Sequence, residues 1–408
     1  MAVFGSPLVD ALYLLTSVVI TYVAIFHLLL WFENRKALQA KTAVERTPAV
    51  SVIVPAYNEE QTIGRTLKNL LGLDYPKNKL EIVVVDDGST DRTYEQIKKI
   101  KSPRIKILRQ KNGGKASALN FGLAKTKHDL VAVVDADSFP EKAALLKAVQ
   151  YFSQPKIAAV TSHVLVGKKK TVFEKWQDLE FMLVAVARKV REKLNLIDAT
   201  PGAMSVYRKE VLKRLGGFDE KNLLEDVEIA WRLLRHGYKI KMAYDAVVRT
   251  NYPDSWRKWW QQRTRWGVGG LQTLAKHLGC LFRFHPLGTF IIPLSLLGYF
   301  LQLAGVFVFL YFVSNWLISQ SLFLFQVFAL GSKVRFDYYY PLSLFSFYGL
   351  IILGLGLLTV AIGLRHYPAR PRIFTLLTFL TVYIFLFPLV GVYSLYKYLR
   401  KDWQWFTK

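Results

Sequence analysis

Asp135-Ala136-Asp137 closes an apolar run, Leu130–Val134. Two carboxylates one residue apart at a strand end can both reach one hard cation. Mg²⁺ or Mn²⁺ prefers such oxygen ligands and can bridge the oxygens of a diphosphate. Acidic turns also follow strands for purely local reasons, so the tripeptide alone fits either role. Asp86-Asp87-Gly88-Ser89 repeats the context after Ile82–Val85. A carboxylate there can accept hydrogen bonds from a nucleobase or ribose, and Gly88 lets the backbone approach a ligand closely. Two such sites on strands of one sheet point to one crevice.

Three further groups could take part. Asn112-Gly113-Gly114-Lys115 precedes a helical pattern, Ala116–Ala124. A glycine pair and a lysine near a helix N-terminus suit a diphosphate, although the full spacing of a P-loop is missing. Leu223-Leu224-Glu225-Asp226-Val227-Glu228 opens another helix. Carboxylates at a helix start can be simple dipole partners. They can also take a proton from an acceptor hydroxyl, a weak nucleophile that needs a base. On physical grounds Glu225, Asp226 and Glu228 are all eligible. Finally, Gln262, Arg265 and Trp266 share a helix face. The arginine could neutralise a leaving diphosphate and the tryptophan could stack on a sugar. An interfacial anchor would explain the Trp and Arg residues but not the glutamine.

These residues must be positioned by strands and helices in alternation. Val50–Val54, Ile82–Val85, Ile105–Leu108 and Leu130–Val134 read as buried strands; Thr62–Leu71 and a segment from Asp91 read as helices. Apolar strands alternating with helices predict an α/β domain with a mostly parallel sheet covered on both faces. Ligands in such sheets collect at the carboxyl ends of the strands, where the polar clusters fall.

The rest of the chain points to a membrane. Of 408 residues, 52% are hydrophobic, yet the formal net charge is +25. Apolar spans and basic residues at an anionic membrane surface reconcile the two. A basic balance can also serve nucleic acid, but no binding motif for it is present, and no nucleic-acid partner is expected. Cys280 is the only cysteine, which excludes an intrachain disulfide and a cysteine-based zinc site. Leu12–Phe32 is long enough to span and reads as a retained helix rather than a signal peptide. The basic flank with Arg35, Lys36, Lys41 and Arg46 predicts that the following domain is cytoplasmic. Trp256, Trp259, Trp260 and Trp266 among basic residues predict helices in the membrane interface. Further apolar stretches lie at about 287–312, 341–364 and 373–396, with a shorter one at about 316–330. If the shorter one spans, the chain crosses five times and the tail Lys397–Lys408 is cytoplasmic; otherwise it crosses four times. The expected organisation is an anchor at 1–48, a catalytic domain at 49–252, interface helices at 253–285 and a multi-pass region of three or four spans at 286–408.

The ordered set resembles the inverting, membrane-integrated family 2 glycosyltransferases, above all the processive synthases of cellulose, chitin, hyaluronan and poly-N-acetylglucosamine. The resemblance runs through Val54-Pro55-Ala56-Tyr57-Asn58-Glu59, Asp86-Asp87-Gly88-Ser89, Asp135-Ala136-Asp137, Thr200-Pro201-Gly202-Ala203, Glu225-Asp226 and Gln262-x-x-Arg265-Trp266. It covers Val50 to about Gly270. It implies a GT-A type nucleotide-sugar-binding domain. By resemblance Pro55, Tyr57, Glu59, Asp86 and Asp87 are donor-nucleotide positions, and Lys115 lies near the phosphates. Asp135 and Asp137 match the donor and metal positions, with Mg²⁺ or Mn²⁺ as cofactor. Gly202, Glu225 and Trp266 line the acceptor site. Asp226 matches the general base, and Gln262, Arg265 and Trp266 hold acceptor and leaving group. Leu224–Trp231 resembles the poly-N-acetylglucosamine synthases most, which implies UDP-N-acetylglucosamine as donor.

Two acceptors fit: a growing polysaccharide, or a single lipid as in ceramide glucosyltransferase. A transporter or scaffold with a degenerate nucleotide domain is a third reading, opposed by the intact acidic set. No counterpart to the cellulose synthase gating-loop motif is evident, though Arg400-Lys401-Asp402-Trp403-Gln404-Trp405 has its aromatic-basic character. The small membrane region suggests a partner subunit or a homo-oligomer to enclose a polymer.

Overall fold

A computed structural model describes residues 7–330, 344–365 and 371–402. Eight strands form one sheet: β1 Val50–Ala56, β2 Leu80–Asp86, β3 Ile105–Arg109, β4 Leu130–Val133, β5 Ser138–Pro140, β6 Ile157–Val166, β7 Ser205–Arg208 and β8 Lys239–Thr250. Their spatial order is β3-β2-β1-β4-β7-β6-β8-β5. β1 is buried at every position because both faces are covered. Val52 and Val54 pack into one core with Ile63, Leu67 and Leu145. Ile53 points into the other, with Leu119, Ile229 and Leu233.

The expected sheet is present, with an unforeseen half. β3, β2, β1 and β4 are parallel neighbours. β7 runs antiparallel to β4 and to β6, and β5 antiparallel to β8, while β6 and β8 are parallel. The sheet is mostly parallel but mixed. The antiparallel β7 matters to the site: its lead-in, Thr200–Met204, necessarily lies beside the carboxyl end of β4.

Helices flanking the sheet include α1 Pro7–Asn34, α2 Ile63–Leu71, α3 Thr93–Lys98, α4 Lys115–Lys125, α5 Ala144–Val149, α6 Val172–Arg191, α7 Lys209–Arg214, α8 Glu225–Arg235 and α9 Trp256–His277. Helix α6, which the sequence patterns did not single out, begins at a capping box between Thr171 and Glu174. Helix α9 is the expected amphipathic element. Its tryptophans are not all anchors, however: Trp259 is fully buried and its indole N–H donates to the Tyr383 hydroxyl at 2.9 Å. Trp256, by contrast, is exposed.

Among the described residues, three helical units are long and apolar enough to cross a membrane: Pro7–Leu38, Leu287–Ala329 and Ile373–Leu399. A further apolar helix, α11, spans Leu344–Arg365, after α10 Ile292–Leu330. The stretches at 287–312 and 316–330 are therefore one continuous helix, not two segments. No glycine or proline separates them, and the Ser314 and Asn315 side chains bond back to the Tyr311 carbonyl. The 43-residue unit is about 65 Å long at the usual rise, roughly twice a bilayer's apolar core. The last unit comprises α12 Ile373–Thr378, a π-helical turn at Phe379–Tyr383 and α13 Ile384–Leu399. It lies alongside α9, with Tyr383 near Trp259 and Ser394 near Thr264. Residues 341–343, Arg370 and the tail residues Trp403, Gln404 and Trp405 lie outside the described residues.

Candidate active site

The carboxyl ends of β1, β2 and β4 share one edge, because the three strands are parallel and in register. Strand order reverses between β1 and β4, the position at which open α/β sheets form a ligand crevice. Pro55, Tyr57 and Glu59 continue β1 on this edge. Their loop is fastened to the β2 loop: the Asn58 amide donates to Ser89 Oγ at 3.1 Å, and the Glu59 amide to Thr93 Oγ1 at 2.6 Å. The Glu59 carboxylate accepts from Thr62 Oγ1 at 2.7 Å.

The two aspartates after β2 differ. Asp86 is buried and ion-paired to Arg109 Nε at 2.9 Å. Asp87 turns towards the loop before α4. Its Oδ1 accepts the Gly113 amide at 3.0 Å and Gln110 Nε2 at 2.7 Å, and its Oδ2 accepts the Gly114 amide at 2.9 Å. Gly114 adopts φ +87°, a conformation that favours glycine. Asp87 thereby holds the loop that launches Lys115 into the crevice.

Lys115 is the electrostatic hub. Its Nζ stands 2.7 Å from Asp135 Oδ1 and 2.9 Å from Glu225 Oε1. Burial works to lower its pKa, but the carboxylates of Asp135, Glu225 and Asp226 outweigh that and hold it above the ordinary lysine value. Gly202 closes the other side. Its carbonyl accepts the Asp135 amide at 2.9 Å, and an added Cβ would stand 2.5 Å from Lys115 Nζ and 2.6 Å from Asp135 Oδ1. Asp137 faces β8, where Thr250 Oγ1 donates to its Oδ1 at 3.2 Å.

The three acidic residues of α8 now separate. Glu228 is wholly buried and bound by Arg232 and Lys276 at 2.5 and 2.6 Å. Burial opposes its ionisation, but hydrogen bonds from His277 and Lys276 and the charge of Arg232 pull its pKa to about 2. Such a group is a poor base at neutral pH. Glu225 is taken up with Lys115. Asp226 is pushed up to about 6, by burial first and by the Glu225 carboxylate second, against the opposing charge of Lys115. Its backbone carbonyl accepts from Thr200 Oγ1 at 2.8 Å, which ties α8 to the lead-in of β7.

Helix α9 completes the crevice. Arg265 lies within electrostatic reach of Asp226 and donates weakly to the Leu223 carbonyl at 3.4 Å. Gln262 Oε1 is buried without a hydrogen-bond partner, so it is available to a ligand donor. Trp266 meets Phe181 edge-on at 6.2 Å between ring centres, and Phe181 lies 4.3 Å from Tyr252.

Several residues escaped the sequence patterns. Arg263, between Gln262 and Arg265, is buried and stacks over Trp266 at 4.2 Å. Its Nη2 donates to Glu180 at 2.7 Å and to the Tyr383 hydroxyl at 3.3 Å; Tyr383 in turn donates to Glu180 at 2.6 Å. One polar network thus joins α6, α9 and the C-terminal apolar helix behind Trp266. A lone acid in the apolar run Leu179-Glu180-Phe181-Met182-Leu183 was the only available signal. Arg188 on α6 is buried as well, and its Nε has no hydrogen-bond partner among the described residues.

A family model described as "Glycosyltransferase like family 2" matches residues 48–269, more than half of the chain. A probable glycosyltransferase of Bacillus subtilis, YdaM, is 35% identical over 262 residues, 62% of this chain and 60% of that protein. The poly-beta-1,6-N-acetyl-D-glucosamine synthase of Staphylococcus aureus is 31% identical over 237 residues, 57% of each chain. The matched region therefore spans about 60% of these relatives' length. In fold, the chain is similar to the mannosyltransferase PcManGT of Pyrobaculum calidifontis, solved with GDP-Man and Mn²⁺. The TM-score is 0.63 at 22% identity, covering 96% of this chain and 100% of the other.

Proposed function

The chain belongs to glycosyltransferase family 2, and from that premise we propose that it transfers a sugar, with inversion, from a UDP-sugar to a hydroxyl presented at the membrane. UDP-N-acetylglucosamine is the first donor to consider, given the 31% identity to a synthase that makes poly-N-acetylglucosamine. The observation that carries the reading is the pair formed by a basic carboxyl, Asp226, and a cationic, glycine-bounded recess at Lys115, Asp135 and Gly202.

The donor's base and ribose occupy the edge formed by Pro55, Tyr57, Glu59 and Asp87, with Asp86 behind them supporting the turn through Arg109. Its diphosphate lies towards Lys115. The acceptor enters from the α9 side along Trp266, Phe181 and Tyr252. Asp226 takes the hydroxyl proton as the oxygen attacks the anomeric carbon. One displacement then converts an α-linked donor into a β-linked product. With a pKa of about 6, Asp226 is ionised at neutral pH yet remains basic enough to accept that proton. Arg265 offsets charge on the departing diphosphate.

Asp135 and Asp137 offer hard oxygen donors, and the Lys115 ammonium 2.7 Å from Asp135 marks a place that favours positive charge. Carboxylates are the donor type that Mg²⁺ or Mn²⁺ takes, and with no group of three or more ligating side chains among the described residues the donor's own oxygens would complete the set; the mannosyltransferase of similar fold was solved with Mn²⁺. Held by Asp135 and Asp137, a cation would supply positive charge against the departing diphosphate.

For the acceptor, the relatives favour a growing β-linked polysaccharide, moved across a cell membrane that the chain enters as a multi-pass protein with its catalytic domain in the cytoplasm. With 316–330 part of one long helix, we favour four crossings, and a partner subunit or second copy to enclose the polymer. One observation favours a lipid acceptor instead: an anionic headgroup, unlike a neutral glycan, offers a counter-charge to the buried Arg188, whose Nε has no hydrogen-bond partner among the described residues. Incubating the purified enzyme with a panel of labelled UDP-sugars, then sizing the product, tests both. A ladder supports the polymer and one lipid-extractable species supports the glycolipid. No sugar transfer from any UDP-sugar would overturn the donor assignment.

A further inference from the structure

Arg188 is a buried cation, 8% exposed, whose Nε has no hydrogen-bond partner among the described residues. A guanidinium carries five N–H donors and keeps its charge at any physiological pH. Burying a donor of a cationic group without a partner is unfavourable, and an anion seated there would relieve that cost.

Its surroundings place it on the acceptor side of the crevice. On α6, Phe181 precedes it by seven residues and Arg191 follows by three, so all three share a face. Phe181 packs against Tyr252 and Trp266, the rings along which the acceptor is proposed to enter. Arg191 approaches Asp198 at 3.7 Å, and two residues on Thr200 holds the first turn of the Asp226 helix. Burial works to lower the pKa of Arg188, and of the charges around it those of Asp198 and Asp226 raise it while that of Arg191 lowers it. The donor strands β1 and β2 lie elsewhere in the sheet.

The depth is equally informative. On the opposite face of the same turns, Val186 and Val190 pack with Leu30 and Trp31 near the end of α1. There the apolar run of α1 gives way to Glu33, Arg35 and Lys36, the level at which a span meets lipid headgroups. An apolar groove of about 340 Å³ opens at this level between α1 and α11, lined by Ile25, Leu29, Phe32, Ile362 and Arg365.

We propose that Arg188 seats the phosphate of an anionic lipid whose headgroup hydroxyl is the acceptor deprotonated by Asp226. The planar guanidinium matches a phosphate in a bidentate manner, and Arg188 lies on the turns of α6 that pack beside the end of α1, the level of lipid headgroups. The inference rests on the reading of the site as a sugar-transfer centre, and on its lipid-acceptor form.

The test uses the full chain in neutral-lipid nanodiscs, with two hydroxylated lipids as probes. Phosphatidylglycerol carries the phosphate; diacylglycerol does not. Retention of each is read by native mass spectrometry, which needs no turnover. Phosphatidylglycerol should be retained about tenfold to a hundredfold over diacylglycerol by the wild type, the range expected of one charge-assisted contact. Arg188→Met should reduce that ratio to about one while its Tm stays level or rises, since a buried charge has been removed. Arg188→Lys should keep part of the ratio. Equal retention by the wild type, or a preference that survives Arg188→Met, overturns the proposal. So does a variant that loses donor affinity instead of lipid preference, which would assign Arg188 to the donor diphosphate. Glycerol phosphate in solution competing as well as the lipid at equal concentration would overturn the lipid source. Selective lipid retention without any nucleoside diphosphate release from UDP-sugars would support this site and count against the transfer reading, so the two failures are distinct.

Discussion

Gly202 and Asp135 are in direct contact: the Gly202 carbonyl accepts the Asp135 amide at 2.9 Å, and a Cβ on Gly202 would fall 2.6 Å from Asp135 Oδ1. This approach exists because β7 returns antiparallel beside β4. It brings the segment proposed to line the acceptor site onto the residue proposed for donor and metal. Gly202→Ala must displace Asp135 or Lys115. Transfer should fall about a hundredfold, the scale of a 1 Å misplacement, with thermal stability close to wild type. Activity within threefold of wild type would show that the recess is looser than drawn.

The pH dependence follows from Asp226. A base with a pKa near 6 is active only when ionised, so kcat/KM should fall on the acid side with an apparent pKa near 6. The Glu225 carboxylate helps to hold that value up. Glu225→Gln should therefore move the acid limb to lower pH, whatever it does to the maximal rate. A pH profile recorded on both proteins checks this; an unmoved or upward-moving limb would contradict the assigned coupling.

Stability should be sensitive behind Trp266. Glu180→Ala leaves Arg263 buried without its 2.7 Å partner and should cost on the order of 3 kcal/mol. Tyr383→Phe removes hydroxyl contacts to Glu180, Arg263 and Trp259 and should cost about 1 kcal/mol or somewhat more. Thermal unfolding in detergent reads both. Equal Tm values across the three proteins would mean that this network does not join the catalytic domain to the C-terminal helix.

Cation dependence should follow the carboxylates. Chelation should abolish transfer, and Mg²⁺ or Mn²⁺ should restore it. Asp137→Asn should raise the metal concentration required at least about tenfold, because a neutral amide binds a hard cation less well than a carboxylate. Full activity in chelator would remove the metal from the mechanism.

Much of this was legible in the sequence, for identifiable reasons. Strands β1, β2 and β4 are buried on both faces, so Val50–Ala56 and Ile82–Val85 appear as unbroken apolar runs ending in polar clusters. Asp135 and Lys115 were recognisable by type and position. Their mutual contact was not, since it depends on the antiparallel β7 that carries Gly202 into place. The parting of Glu225, Asp226 and Glu228 was hidden for a similar reason. Their partners Lys115 and Lys276 come from distant segments, at 2.9 and 2.6 Å. Arg188 and Glu180 belong to α6, a helix whose first turn is marked only by Thr171 and Glu174. Nothing local says that a charge on it will be buried.

The most direct test is transfer by Asp226→Asn with donor binding measured in parallel. The account predicts a loss of about a thousandfold, within the range for a missing general base, with UDP-sugar affinity near that of the wild type. Turnover within tenfold of wild type, at normal donor affinity, would remove Asp226 from the base role and the mechanism with it.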